Sequence, residues 1–248
     1  MYKKLLNLRN RISSLNMKRF CPQFESLSAQ VHLNNLGLEY MPHSVSALSS
    51  RSIEIVLNDI YINKRRSIAE FGAGLSTVYM AKLLSLIDQE NKKPMIFSVE
   101  HDEKWIRSVE SMLILNGLQN YVSLIHAPLT PDHPFRERSG CKWYDPQSIW
   151  PILNNIKFDL ILVDGPPANF LSKRDSELPR LPALLWLIGK NYKTPSLEDS
   201  FTLFLDDIDR VGEATIFDIW AKQYSFDRVV RYTSGMGMLV KGHSFEVA

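Results

Sequence analysis

A strand that runs directly into a glycine turn constrains this chain more than any other feature. Residues 68 to 74 read Ile-Ala-Glu-Phe-Gly-Ala-Gly, and a helical pattern opens at Leu75. Glycine lets the backbone turn sharply and lets a ligand approach atoms that a Cβ would block. The helix behind such a turn offers free N–H groups at its start. Glycine turns are common, so the meaning of this one depends on its surroundings.

Those surroundings alternate. A helix is expected from Arg51 to about Tyr61, then the strand at Ile68, then a helix through Leu75, Val78, Tyr79, Leu83 and Leu86. Met95 to Val99 reads as a second strand, and Asp102 as the N-cap of a helix carrying Trp105, Ile106, Val109 and Met112. Asn116-Gly117 stops that helix. Val122 to Ile125, Phe158 to Val163 and Phe201 to Leu205 are further strands; the second of these is apolar nearly throughout, as a strand covered on both faces should be. A helix from about Gly212 to Gln223 leads to strands at Arg228–Tyr232 and Gly237–Val240. Strands alternating with helices predict an α/β fold with a parallel, doubly wound sheet. Only Thr233-Ser234-Gly235-Met236 separates the last two strands, too short for a crossover helix, so they should form an antiparallel hairpin.

The 248 residues, 45% hydrophobic and 23% charged, suit one large α/β domain with additions. No apolar run reaches the length of a membrane span and no signal-peptide core is visible. Cys21 and Cys141 are too few for a disulfide framework or a cysteine zinc site, so a cytoplasmic setting is the default. The formal net charge of +2 conceals an asymmetry: Lys3, Lys4, Arg9, Arg11, Lys18 and Arg19 stand without any acid in the first twenty residues, leaving the remainder at −4. Leu5, Leu8, Ile12 and Leu15 recur at helical spacing, so this arm can form a basic amphipathic helix. It could lie on an anionic membrane surface, act as a transit peptide, touch nucleic acid, or pack on the domain with its basic face in water. The chain therefore divides into a basic helical arm and irregular segment over 1–50 and a ligand-binding domain over 51–248.

From about residue 50 to 241 the chain resembles the class I S-adenosylmethionine-dependent methyltransferases. The resemblance rests on Glu70-Phe71-Gly72-Ala73-Gly74-Leu75-Ser76, on Val163-Asp164-Gly165-Pro166-Pro167, on Phe204 to Arg210, and on the terminal hairpin. It implies a seven-stranded, mostly parallel sheet with the last strand inserted antiparallel between the fifth and sixth. It also implies that Glu70 helps to hold the methionine ammonium of the cofactor and that Gly72 and Gly74 lie beside it. Ser76 stands where the family motif has its third glycine, a position that mainly controls close packing. After the third strand many members carry an acid that accepts from the adenine amino group; here the chain has His126 followed by Ala127.

Other residues follow from the layout of such a sheet. Glu100 ends the second strand, where a carboxylate can accept hydrogen bonds from both ribose hydroxyls. Asp164 ends the fourth strand and should lie near the reacting atoms, because ligands sit beyond the carboxyl ends of strands near the order switch. It is the candidate for acceptor orientation or general base. Asp206 and Asp207 end the neighbouring strand, and three clustered carboxylates require a positive partner. The sulfonium, a substrate group, Arg210 or a divalent metal would serve. The catechol O-methyltransferase branch holds magnesium with acids at such strand ends, so Asp164, Asp206 and Asp207 form a candidate magnesium site by resemblance.

Two long loops leave the same edge, one with His133, Arg136, Arg138, Trp143 and Tyr144, the other with Lys173, Arg174, Asp175 and Arg180. They could shape a pocket for an acceptor, including an anionic one. The Asp-Gly-Pro-Pro run is not the Asp-Pro-Pro-Tyr type of amino-methylating nucleic-acid enzymes, and the body lacks a basic stripe, so nucleic acid is a poor candidate substrate. The reading is S-adenosylmethionine-dependent O-methylation of a small or sugar-like acceptor. Its rivals are a nicotinamide-dependent oxidoreductase, which shares the glycine turn and later acid, and a non-catalytic cofactor-binding scaffold. The oligomeric state is left open.

Overall fold

The computed structural model describes residues 23–44, 46–87, 95–154, 156–167, 178–188 and 197–247. The basic arm over the first twenty residues, and Lys173, Arg174 and Asp175, lie outside them. Nine strands are found among the described residues: β1 (Ile68–Phe71), β2 (Ile96–Glu100), β3 (Val122–His126), β4 (Leu129–Thr130), β5 (Trp143–Tyr144), β6 (Phe158–Val163), β7 (Leu197–Leu205), β8 (Arg228–Arg231) and β9 (Gly237–Lys241). The helices are α1 (residues 23–34), α2 (Ser50–Ile62), α3 (Leu75–Ile87), α4 (Glu103–Leu115), α5 (Arg136–Ser139), α6 (Pro146–Leu153), α7 (Pro182–Leu187) and α8 (Val211–Gln223).

Seven strands form one sheet in the order β3-β2-β1-β6-β7-β9-β8. The first five of these positions are parallel, while β9 runs antiparallel to both β7 and β8. This is the doubly wound, mostly parallel seven-stranded sheet with a terminal antiparallel hairpin, and the last strand is inserted between the fifth and sixth as expected. The chain works outward from β1 to β3, then crosses back to β6, so the switch in strand order falls between β1 and β6.

Side chains alternate across each strand and so divide into two cores. Ile68, Leu160, Leu162, Phe204 and Met238 face one side with Ile53, Ile60, Val78, Met80 and Val109 of α2, α3 and α4. Ala69, Phe71, Ile161, Val163 and Leu203 face the other with Leu153, Leu184, Trp186, Ile216 and Trp220 of α6, α7 and α8. Both faces of the parallel part are covered, which is why its strands read as continuous apolar runs.

The helix boundaries follow local chemistry. Ser49 caps α2 by accepting the Ser52 N–H, and Asp102 caps α4 by accepting those of Lys104 and Trp105. Gly117 adopts a φ of 67° just past the end of α4.

Three expectations change. The stretch before Ser50 is not irregular throughout, because residues 23–34 are helical. Its buried seam is only Ala29 and Leu33, while Phe24, Leu27 and Val31 form an exposed stripe on the opposite face. Leu33, Met41 and Leu48 all enter the core shared with α2 and α3. The fifth sheet strand also begins earlier, at Leu197, through a polar extension with no apolar pattern to reveal it. Finally, the segment from Pro128 to Pro146 is built around the β4–β5 pair and α5 rather than being a bare loop. Among the described residues no helix is long and apolar enough to cross a membrane.

One buried ion pair ties distant elements together. Arg65, 4% exposed, donates through Nε to Asp59 Oδ2 at 3.2 Å and through Nη2 to Thr202 Oγ1 at 2.9 Å. It links α2 to β7 at the amino edge of the sheet, far from the glycine turn. Arg65→Leu leaves Asp59 as an uncompensated buried charge and should cost about 3–5 kcal/mol in urea unfolding, with Asp59→Leu in the same chain recovering part of the loss.

Candidate functional site

At the carboxyl edge, over the switch between β1 and β6, lies a cleft of about 410 Å³. Its walls come from the turn after β1, from Glu100 to Asp102 after β2, from Asp164 and Gly165 after β6, and from Asp206 and Asp207 after β7. A cavity of this volume is in the range of small-ligand sites.

The turn is fixed by chemistry within the protein. Gly72 has a φ of 101°, and a Cβ there would stand 2.9 Å from the Gly165 nitrogen. Glycine is therefore required at this position by the fold alone. Gly74 differs: its φ is not left-handed, and a Cβ on it would meet no protein atom within 4 Å. Its bareness faces the cleft, as a surface for close approach of a ligand would.

Glu70 has no exposed surface and does not line the cleft. Its carboxylate accepts from Ser76 Oγ, Thr77 Oγ1 and Ser98 Oγ, each at 2.6 Å. Thr77 Oγ1 in turn accepts the Gly74 N–H at 2.9 Å. Ser76, in the position of the missing third glycine, thus clamps the turn to Glu70 and still lines the cleft. Burial, opposed by these three hydroxyls, pushes the Glu70 pKa up to about 7.

Glu100 is 5% exposed, and its Oε1 accepts the backbone N–H groups of His101 and Asp102 at 2.7 and 2.8 Å. His101 Nδ1 stands 2.6 Å from that same oxygen, and the carboxylate holds the imidazole pKa above its ordinary value. Glu100 also lines the cleft. His126 and Ala127 are not brought to it. The His126 ring is exposed, with Nε2 3.2 Å from the His101 carbonyl oxygen, and Ala127 is buried with its N–H on the Glu100 carbonyl. The place expected for His126 and Ala127 in the cleft lining is thus not found: His126 stands level with Glu100 in the sheet, but its ring lies against the His101 carbonyl oxygen, and the Ala127 N–H is spent on the Glu100 carbonyl.

Asp164, Asp206 and Asp207 do converge, with carboxylate oxygens within 4.8 Å of one another. Burial raises the Asp164 pKa well above the carboxylate range; Arg180 opposes the rise, and Asp206 and Asp207 add to it. Burial, then repulsion from Asp207, pushes Asp206 up to about 6. The cation among them is Arg180, only 2% exposed. Its Nη2 lies 3.4 Å from Asp164 Oδ1 and 3.1 Å from Asp207 Oδ2, and its Nη1 donates to the Asp206 carbonyl at 3.0 Å. Arg210 Nη1 approaches Asp207 Oδ2 at 2.7 Å from outside. The magnesium expected from resemblance would need oxygens of Asp164 and Asp207 that already face a fixed guanidinium. A metal there would have to share these two carboxylates with Arg180.

Sequence reasoning missed several lining residues. Trp105 belongs to the cleft, and its Nε1 donates to the Ala73 carbonyl at 2.7 Å, bracing the turn from α4. Ser44, Ser46, Ala47 and Leu48 close one side, from the segment expected to be irregular. Of the aromatic and basic loop residues, Tyr144 and Arg180 reach the cleft, whereas His133 is turned to the Cys141 carbonyl at 2.8 Å. Tyr144 is fully buried, and its hydroxyl finds no hydrogen-bond partner among the described residues. Burial first, then Glu100, holds its pKa well above 10, so it stays a donor. A second cleft of about 840 Å³ adjoins through Pro167 and carries Arg136 and Lys142.

No family model matches the sequence, and no curated protein matches it. Solved structures do resemble it. The methyltransferase PaMTH1 of Podospora anserina, bound to S-adenosylhomocysteine, shares 12% identity over 94% of this chain and 97% of its own, with a TM-score of 0.53. The O-methyltransferase TomG of Streptomyces achromogenes, in complex with S-adenosylmethionine, shares 16% identity over 79% of this chain and 82% of its own, with a TM-score of 0.50. The chain thus has the Rossmann-like fold of class I methyltransferases.

The raised pKa of Glu70 gives a signed test. The folded chain holds a proton to about pH 7 that the unfolded chain releases near 4.5. This contribution to stability is complete below the lower value and lost as pH rises through the higher one. The swing is roughly 3 kcal/mol. In urea unfolding at a series of pH values, Glu70→Gln should show a shallower decline between pH 5 and about 7 than the parent.

Proposed function

We propose that the protein is an S-adenosylmethionine-dependent methyltransferase acting on a hydroxyl oxygen of a small-molecule acceptor. The observation that carries this reading is the meeting, in one cleft at the strand-order switch, of the bare Gly74 surface, the Glu100 carboxylate and Asp164. Ligands in doubly wound sheets bind at that place. The resemblance to proteins solved with S-adenosylmethionine or S-adenosylhomocysteine favours the same cofactor.

In this reading Glu100 receives the ribose hydroxyls on Oε2 while its other oxygen is fixed by the His101 and Asp102 amides. Gly72 to Ser76 present backbone to the methionine end, held rigid by Glu70 from below. The cofactor supplies an electrophilic methyl group. With it bound, Asp164 would orient the acceptor hydroxyl and take its proton as the oxygen is methylated. A buried Asp with a raised pKa is a stronger base than an ordinary one. Closure of the cleft by Tyr144 and Trp105 would exclude water and preserve orientation. Arg136 and Lys142 in the adjoining cleft suit an acceptor that carries an anionic group away from the methylated atom.

The nicotinamide reading is disfavoured by β9 between β7 and β8, an arrangement outside the ordinary dinucleotide fold. Titration calorimetry should detect S-adenosylhomocysteine but not NAD. Glu100→Ala should weaken the former by at least about tenfold, the scale of a lost charge-assisted hydrogen bond. Asp164→Asn should keep that binding and lose methyl transfer. No binding of S-adenosylhomocysteine by the parent chain would remove the proposal.

A further inference from the structure

We propose that Arg180 is the permanent cation of this site, its guanidinium occupying among Asp164, Asp206 and Asp207 the place a divalent ion would need. The proposal rests on the methyltransferase reading for its meaning, but its physical content is independent of the cofactor.

The guanidinium is gripped from three elements. Asp164 approaches from the end of β6 at 3.4 Å, Asp207 from the end of β7 at 3.1 Å, and Glu213 on α8 brings Oε1 to 3.9 Å from Nε. The Asp206 carbonyl fixes Nη1 at 3.0 Å. The Arg180 side chain is 3% exposed, yet it lines the cleft. A long cationic side chain is withdrawn from water to this degree only where fixed negative groups repay the lost hydration.

Arginine also differs from a metal in what it can do. It does not lose its proton in proteins and cannot dissociate. Its charge is therefore present whatever the metal content of the surroundings. A divalent ion binds hard oxygens with several coordination positions and favours acceptors whose two adjacent oxygens can chelate it. A guanidinium instead presents N–H donors in a plane and can hold a lone hydroxyl or a carboxylate. The acceptor class follows: chelating ability is not required of it, and a single hydroxyl beside the guanidinium suffices. Asp207 Oδ2 is shared with Arg210 at 2.7 Å, and the residue has a backbone φ of 62°, which Asp tolerates better than most residues.

The test uses Mn2+ alone as probe, followed by paramagnetic resonance and calorimetry on the full chain. The parent should show no saturable Mn2+ binding at the cleft, and a chelator should leave its affinity for S-adenosylhomocysteine unchanged. Arg180→Ala should uncover three carboxylates and gain an Mn2+ site at least tenfold tighter than any parent signal, an effect that Asp164→Asn added to it removes. Saturable Mn2+ binding by the parent that Asp164→Asn abolishes would overturn the proposal, whether or not Arg180→Ala folds. A folded Arg180→Ala chain that gains no Mn2+ site would overturn it as well. Loss of the cofactor reading would appear separately, as a parent chain that fails to bind S-adenosylhomocysteine.

Discussion

Glu70 accepts three hydroxyl protons at 2.6 Å inside the central part of the sheet, two from the start of α3 and one from β2. The arrangement fixes the register between a strand, the turn that leaves it and the helix that follows. Through Thr77 it also holds the Gly74 N–H, so the backbone that faces the cleft is positioned from beneath. A lone carboxylate in such a place would be costly; three donors make it tolerable. The cleft's geometry therefore depends on a group that does not line it.

The second constraint is steric. Gly72 and Gly165 pack backbone against backbone, with the Tyr144 hydroxyl over Gly165, where a Cβ would come within 2.3 Å of it. Strand ends that are adjacent in the sheet but distant in sequence are pressed together without side chains between them. Arg180 then closes the other side of Asp164, so Asp164 is bounded by a close backbone contact and by a fixed charge. Tyr144 and Arg180 both arrive from segments outside the seven-stranded sheet.

The sheet was legible in the sequence because parallel strands covered on both faces are uniformly apolar, and because the five residues between β8 and β9 leave no room for a crossover. That Gly72, Gly74 and Glu100 would border the cleft was legible because their positions follow from strand ends; that Glu70 would lie buried beneath it, outside the lining, was not. Nor were their neighbours. Ser76 looked like a departure from a motif, yet it supplies one of the three hydroxyls on Glu70. His126 sits at a strand end too, but on the sheet's far strand, and no local pattern tells which strand ends border the cleft. Arg180 was only one of several loop cations, since its burial arises from acids that lie elsewhere in the chain. α1 was overlooked although Phe24, Leu27 and Val31 recur at helical spacing; these are exposed, and the buried Ala29 and Leu33 lie on the opposite face.

The insertion of β9 has a consequence for assembly. β8 precedes β9 in the chain but, among the described residues, meets the sheet only through it, pairing with no other strand. β7 thus has an unpaired outer edge, and β8 nothing to dock on, until Gly237–Lys241 is in place. The sheet is completed from the inside outward, and its outermost strand must wait for a neighbour made after it.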